Sequence, residues 1–290
     1  MFKIKPLVSI CIPTYNGAKF IEEALNSAIN QTYKNVEIIV SDDKSSDDTL
    51  LIIKNKLIDS KIPYYIYTHD PKGIGANWNN CVEKSNGHFI KFLFQDDVLR
   101  NDCIEKMISL ALNDDKVGLV YCKRNILYNI NNIDHKKWID HCGVLHKKWF
   151  KIEVQQGILD GRKYLSDLYL LNDSSNKIGE PTAVLIKKSY FVKTGSFNEN
   201  LKQTLDIEYW YRLMKYCKVG FVDENLVSFR LHNDQASFVN MQNEIDERYL
   251  LNKKFYKTIF WQLHPKKRWK LFKGYSWIGN FVRLCKKKIK

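Results

Sequence analysis

The stretch from Pro6 to Thr49, PLVSICIPTYNGAKFIEEALNSAINQTYKNVEIIVSDDKSSDDT, constrains the fold more than any other part of the chain. Residues 7–12 form a short apolar run, β-branched and uncharged, ended by Pro13. Such a run predicts a strand buried on both faces of a parallel sheet. Phe20, Ile21, Ala24, Leu25, Ala28 and Ile29 recur at three- and four-residue intervals, which predicts an amphipathic helix over 18–30. A second strand is expected at 36–40, stopped by the polar stretch 41–48. Strand, helix and strand make a βαβ unit, and such units place ligand-binding loops at the carboxyl ends of their strands. Both exits here are polar and turn-rich: Pro13, Thr14, Tyr15, Asn16 and Gly17 after the first strand, Asp42 and Asp43 after the second.

The same patterns continue downstream. Strands are expected at 62–68, 88–94, 117–122 and 183–186, and helices at 49–59, 76–81, 101–112, 161–171 and 205–213. Segments 219–222 and 227–231 read as a hairpin-like pair. The 123–156 stretch loses periodicity and suits a loop-rich insertion. Its Trp138, Trp149 and Phe150 either stack on sugar rings or fill a satellite core, and core is preferred for at least one. His135, His141 and His146 lack the paired spacing of a metal site and read as surface residues. Asn79 and Asn80 read as exposed helix residues.

Three acidic positions carry chemistry. A carboxylate at Asp42 or Asp43 can accept from the N–H of a base or from a ribose hydroxyl; the alternative is a turn-forming pair. Gln95, Asp96 and Asp97 leave the fourth strand together, and adjacent carboxylates repel unless a cation or solvent separates them. Mg²⁺ or Mn²⁺ takes oxygen ligands and neutralises a leaving diphosphate; the alternative is capping of the 101–112 helix. Asp206 begins a helix whose Leu205, Tyr209, Trp210 and Leu213 share one face. It is either a catalytic carboxylate or one that complements the helix dipole. Gly73 and Gly75 are not a dinucleotide fingerprint, because the third glycine position holds Trp78.

The net charge of +14 is misplaced for a nucleic-acid binder. Residues 241–290 hold 14 Lys/Arg against Glu244, Asp246 and Glu247, leaving the first 240 residues nearly neutral. No apolar run approaches the ~20 residues of a membrane span, and the first residues have no apolar core of a secretory signal. Seven scattered cysteines without a CxxC pair suit a reducing cytosol. Helices are expected at 244–263 and 268–284, split at His264-Pro265, with aromatic and basic side chains. Such helices lie on anionic bilayers; the alternative is that the first packs on the preceding domain.

These motifs stand in the order found in family 2 glycosyltransferases. The run 8–49 resembles the start of that family almost residue for residue, and later landmarks extend the likeness to about Ser237. The resemblance implies a GT-A fold: a Rossmann-like, mostly parallel sheet flanked by helices, with a catalytic domain at 1–240 (donor half 1–122, acceptor half 123–240) and a basic helical extension at 241–290. It implies inverting transfer from a nucleotide sugar, a UDP-sugar, to a glycan or lipid-linked acceptor in surface polysaccharide assembly, at the inner face of the cytoplasmic membrane. Pro13, Thr14, Tyr15, Asn16, Asp42, Asp43 and Asn77 then meet the nucleotide, and Gln95 and Asp97 lie beside metal or sugar. Asp96 is the metal ligand, and His232 a second metal or diphosphate contact or an ordinary polar residue. Glu180 holds an acceptor hydroxyl or caps a turn. Asp206 is the general base, Glu208 the runner-up, and Trp210 and Arg212 are anchors. Two positions depart from the family pattern: Phe94 replaces the first acid of the metal motif, and Leu205 replaces the acid before Asp206. An apolar neighbour desolvates Asp206, which favours a raised pKa. The departures leave an inactive transferase-like scaffold as a rival. A nucleotidyltransferase would need a basic glycine-rich loop after the first strand, which 13–19 does not supply.

Overall fold

The computed structural model describes residues 5–172, 176–235, 246–279 and 281. The first half is the expected alternation: β1 (Val8–Thr14), α1 (Ile21–Ile29), β2 (Val36–Asp42), α2 (Thr49–Leu57), β3 (Tyr64–Thr68), α3 (Ile74–Lys84) and β4 (Phe89–Phe92). Every residue of β1, β2 and β4 is buried, as their largely apolar runs lead one to expect, and the polar exceptions are hydrogen-bonded, Ser9 to Glu37 and Lys91 to the Thr182 carbonyl. Pro13 does not end β1; it lies inside the strand, opposite Ser41. There follow β5 (Val98–Leu99), α4 (Cys103–Ala111), β6 (Val117–Leu127), α5 (Ile133–Cys142), β7 (Gly157–Asp160) and α6 (Gly161–Leu165). The chain continues through β8 (Val184–Lys187), α7 (Phe191–Thr194), α8 (Leu205–Met214) and β9 (Lys218–Arg230).

The strands form one sheet in the order β3-β2-β1-β4-β8-β6-β9-β5, with β7 also on β9. β1 to β4, β6 and β9 run one way; β5, β7 and β8 run the other. The chain leaves β1 for β2 and β3 on one side, then returns to place β4 on its other side. That reversal opens a crevice at the carboxyl ends of β1 and β4.

Several expectations are corrected. Segments 219–222 and 227–231 are one strand, β9, running parallel to β6 throughout. The polar interruption Asp223-Glu224-Asn225 is absorbed as a bulge opposite Lys123. The helix expected over 161–171 stops at Leu165, where Asp167 turns its carboxylate to the amides of Phe150, Lys151 and Tyr169. Asn79 and Asn80 are engaged: Asn79 exchanges hydrogen bonds with the Phe197 backbone, and Asn80 donates to Ser41. His135 is buried at the start of α5, and His146 stacks on Phe221. Trp149 belongs to the main core, and Trp138 stacks on Phe229 in a small satellite cluster.

The C-terminal stretch is part of the fold. Helices α9 (Arg248–Thr258) and α10 (Pro265–Tyr275) follow, joined by a 3-10 turn. α10 starts at Pro265, where a proline needs no amide partner, capped by His264. Leu251, Phe255, Ile259, Leu263 and Leu271 are buried in the same cluster as α8, with Phe255 against Tyr211. Residues 244–245, 280 and 282–284, also expected to be helical, lie outside the described residues, as does Ser237. Phe255→Ala therefore removes a fully buried ring and should cost about 3–5 kcal/mol of folding stability, read by chemical denaturation. A loss below about 1 kcal/mol would mean that α9 only leans on the domain.

Candidate active site

A cavity of about 1040 Å³ opens at the carboxyl ends of the parallel strands, facing the start of α8. That volume suits a ligand the size of a nucleotide sugar. Pro13, Thr14, Tyr15, Asp43, Asn77, Gln95, Asp96, Glu180, Asp206 and His232 line it. Asn16, Asp42 and Asp97 do not, and the reasons differ. A second, more polar cavity of about 820 Å³ lies beyond Arg124 and contains none of these residues.

At the end carried by β1 and β2, the Asp42 carboxylate is fully buried and accepts from Thr14 Oγ1 at 2.7 Å and Ser45 N at 2.8 Å. It fixes the turn and leaves Asp43 to face the cavity. Asp43 sits 3.1 Å from His69 Nδ1. Burial raises its pKa, with the nearby imidazole opposing. Asn16 takes the left-handed conformation, φ 47°, and binds Ser46 N through Oδ1, so it builds the turn rather than the wall. Gln95 accepts from Tyr15 N at 2.9 Å and donates to Tyr15 O at 3.1 Å, pinning the exits of β1 and β4 together. A Cβ on Gly17 would fall 2.3 Å from the Gln95 amide, so any larger residue there would push that side chain aside. Asn77 Nδ2 donates to Thr14 O, while its buried Oδ1 has no hydrogen-bond partner among the described residues. That orphan acceptor suits a base N–H or a ribose hydroxyl.

Beside it, Asp96 Oδ2 and His232 Nε2 are 2.9 Å apart. Asp97 is buried, accepting from Thr182 Oγ1 at 2.6 Å and Arg230 N at 3.0 Å. Burial, with Asp96 next to it, holds its carboxyl well above the usual range. Among the described residues no three His, Cys, Asp or Glu side chains gather as a closed metal site. An Asp–His pair open to the cavity nevertheless fits a cation that takes its other ligands from a diphosphate and water. Phe94, where an acid was expected, packs its ring 5.1 Å from Trp78 and gives that wall an apolar surface.

Across the cavity stands α8. Every residue of this helix is buried except Asp206. Ile207 N donates to Asp206 Oδ1 at 2.7 Å and Asn176 Nδ2 to Oδ2 at 2.6 Å. Even so, burial pushes the Asp206 carboxyl up to about 7, with the Glu180 charge adding to the rise. Glu208 is excluded from the cavity. It is fully buried and held by Arg212 through two hydrogen bonds of 2.8 and 2.7 Å, while Arg212 also grips the carbonyls of Thr194 and Ser196. Trp210 Nε1 anchors the helix to Gly179 O at 3.1 Å.

Two participants escaped sequence reasoning. Asn176 closes a turn onto the amides of Ile178 and Gly179 before reaching Asp206. The Asn-x-x-Gly spacing was its only local signal. Arg124 lies 2.8 Å from Glu180, in a stretch of β6 that reads as loop.

The sequence from 9 to 176 matches the family described as Glycosyl transferase family 2. The chain belongs to that family. It is 32% identical over 229 residues to an uncharacterized protein of Mycobacterium tuberculosis, covering 79% of this chain and 68% of that one. It is 32% identical over 243 residues to an uncharacterized glycosyltransferase of Rickettsia typhi, covering 83% and 69%. Among solved structures, it superposes on S. aureus TarS 1–349 in complex with UDP-GlcNAc with a TM-score of 0.63 at 18% identity, over 87% of this chain and 66% of that one. It superposes on the mannosyltransferase PcManGT of Pyrobaculum calidifontis, in complex with GDP-Man and Mn²⁺, at 0.59 and 14%, over 89% and 63%. The fold of this glycosyltransferase is therefore the GT-A fold.

The position of Asp206 in this glycosyltransferase has a measurable cost. Its carboxyl binds a proton more tightly folded than unfolded, so it subtracts stability above pH 7, and the loss is relieved as pH falls towards the unfolded value near 4. Asp206→Asn should raise stability at pH 8 by about 1–3 kcal/mol and leave it little changed at pH 4, measured by urea denaturation at both pH values.

Proposed function

We propose that this glycosyltransferase moves a sugar, with inversion, from a UDP-sugar to a hydroxyl of a glycan or lipid-linked acceptor in bacterial surface polysaccharide assembly. The observation that carries the proposal is a desolvated Asp206 facing Asp43, Asn77 and Asp96 across one cavity. Inverting transfer is a single in-line displacement. The acceptor oxygen forms a bond to the anomeric carbon as the bond from that carbon to the diphosphate oxygen breaks. Asp206 takes the acceptor's proton, and a carboxyl with a pKa near 7 is matched to that task at neutral pH. The donors on its two oxygens, Ile207 N–H and Asn176 Nδ2–H, orient it and stabilise its ionised form.

Asp43 and Asn77 supply acceptors for the base and ribose, and Pro13–Tyr15 the wall beneath them. Asp96 and His232 would hold a Mg²⁺ or Mn²⁺ ion, which neutralises charge on the departing diphosphate when bound. A polyprenol-linked acceptor is supported by a Campylobacter jejuni relative, GalNAc(5)-diNAcBac-PP-undecaprenol beta-1,3-glucosyltransferase, 36% identical over 107 residues and 37% of this chain. Contact with the bilayer that carries such an acceptor is supported by Trp261, Trp269, Trp277 and Phe281, all largely exposed on the basic C-terminal segment. Among the described residues no helix is long and apolar enough to cross a membrane.

UDP-glucose, UDP-GlcNAc, UDP-galactose and GDP-mannose, each with and without Mn²⁺, should be screened for thermal stabilisation. A UDP-sugar should raise Tm, more so with Mn²⁺; stabilisation by none of them sinks the proposal. With the donor found, kcat should rise with pH through about 7, and Asp206→Asn should lose about 10²- to 10⁴-fold. Equal turnover in variant and wild type would return the protein to the inactive-scaffold reading. Vesicles containing phosphatidylglycerol should bind the protein at low salt and release it at high salt, whereas neutral vesicles should not.

A further inference from the structure

The segment after residue 245 does more than supply a basic surface. Glu247 is buried, although it lies at the start of the most basic part of the chain. Its carboxylate turns back to the loop before α8 and takes up four donors there. Oε1 accepts from Lys202 N, and Oε2 accepts from Gln203 N at 3.0 Å, Thr204 N at 2.9 Å and Thr204 Oγ1 at 2.9 Å. Three consecutive amides pointing at one carboxylate form an anion-binding concavity, filled here by the protein's own side chain. Charge-assisted bonds of this kind are about twice as strong as neutral ones.

The clamped loop is part of the site. Lys202, Gln203 and Thr204 line the cavity, as do Asp246, Glu247 and Arg248. Thr204 is the N-cap residue of α8, and its carbonyl accepts from Glu208 N at 3.0 Å. Glu247 occupies the equivalent place before α9, whose Leu251 and Phe255 are buried against the α8 layer. The carboxylate therefore ties together the starts of two packed helices, one of which carries Asp206.

We infer that Glu247 is a positioning residue for glycosyl transfer, holding loop 202–204 so that Asp206 stands at the acceptor side of the cavity. The inference rests on the reading of Asp206 as the base. Glu247 touches no reacting atom; it acts through the loop. Three of the four bonds to Glu247 satisfy the backbone amides of all three loop residues. A displacement of about 1 Å at a reacting group can lower a rate about 100-fold, so a loosened loop should appear in turnover before it appears in donor binding.

Glu247→Gln keeps the shape of the side chain but aims an amide N–H₂ at other donors. It should be compared with wild type and Asp206→Asn, using whichever of UDP-glucose, UDP-GlcNAc, UDP-galactose or GDP-mannose stabilises the protein most, with water as acceptor and nucleoside diphosphate release as the rate. In Glu247→Gln the amides of 202–204 should exchange hydrogen about tenfold or more faster. kcat should fall about 10- to 100-fold, while donor KM and the donor-induced rise in Tm stay at wild-type values. Unchanged exchange and unchanged kcat would overturn the inference, and so would a loss of donor binding in proportion to kcat, the mark of a merely structural role. If Glu247→Gln does not fold, Thr204→Val, which removes only the hydroxyl bond, should show the same split at about threefold; no split there overturns it. Wild-type turnover in Asp206→Asn would remove the base assignment, while the exchange and KM results of Glu247→Gln would still decide whether the clamp serves catalysis.

Discussion

The reversal of strand order at β1 is the constraint on which the site depends. A parallel sheet that winds only outward offers no gap between its strand ends, because each crossover covers the last one. Here β2 lies on one side of β1 and β4 on the other, so the loops leaving β1 and β4 part around a crevice. Gln95 then fixes the width of that crevice by pairing with Tyr15 in both directions. The two acidic pairs that arrive there are treated alike. Asp42 and Asp97 are buried and hydrogen-bonded, while their neighbours Asp43 and Asp96 face the cavity. In each pair the buried carboxylate is taken up by hydroxyl and amide donors and its neighbour is left to the cavity, so each pair divides into a brace and a ligand group. The like charges of each pair still repel, and Asp96 adds to the rise that burial gives the Asp97 carboxyl.

The division shows why the site was only partly legible in the sequence. The βαβ unit could be read because strands buried on both faces must be apolar runs, and few other structures demand them. The acids could be placed at strand exits for the same reason. Which acid of each pair faces the ligand depends on where Thr14, Ser45, Thr182 and Arg230 find their partners, and those contacts span up to 133 positions in sequence. Asn176 and Arg124 were hidden likewise, since Asn176 lies outside any helix or strand and the part of β6 that carries Arg124 shows no alternation in sequence. The bulge in β9 was misread because a polar triplet between apolar runs looks the same as a turn until a neighbouring strand, β6, is seen to absorb it. The burial of Glu247 was obscured by composition: one acid among many lysines reads as solvated.

Helix α8 carries two carboxylates two residues apart that meet opposite fates. Glu208 is neutralised by Arg212, whose guanidinium is also held by two carbonyls, so the pair is a closed structural unit in the core. Removing one partner of such a pair leaves the other charge buried and unsatisfied, which costs about 3–5 kcal/mol. Asp206 has hydrogen-bond donors but no cation. Glu208 is enclosed with Arg212 away from the cavity, whereas Asp206, desolvated without a countercharge and held near 7, can accept a proton there.

A helix sealed on all other faces to expose one desolvated acid cannot be held by that acid. Its position must come from contacts that have no part in the chemistry. Arg212 fixes the far end of α8, Trp210 the middle through Gly179, and Tyr211 the face against α9. Only the first turn remains, where helices fray because their leading amides lack intrahelical partners, and where Asp206 lies. Thr204, its N-cap residue, makes no side-chain capping bond, and within the turn Asp206 itself accepts from the Ile207 amide. The carboxylate that stiffens the loop before it comes from Glu247, more than forty residues later. The segment after residue 245 thus braces the loop that leads into α8, and a boundary drawn before residue 246 would cut through the cavity wall.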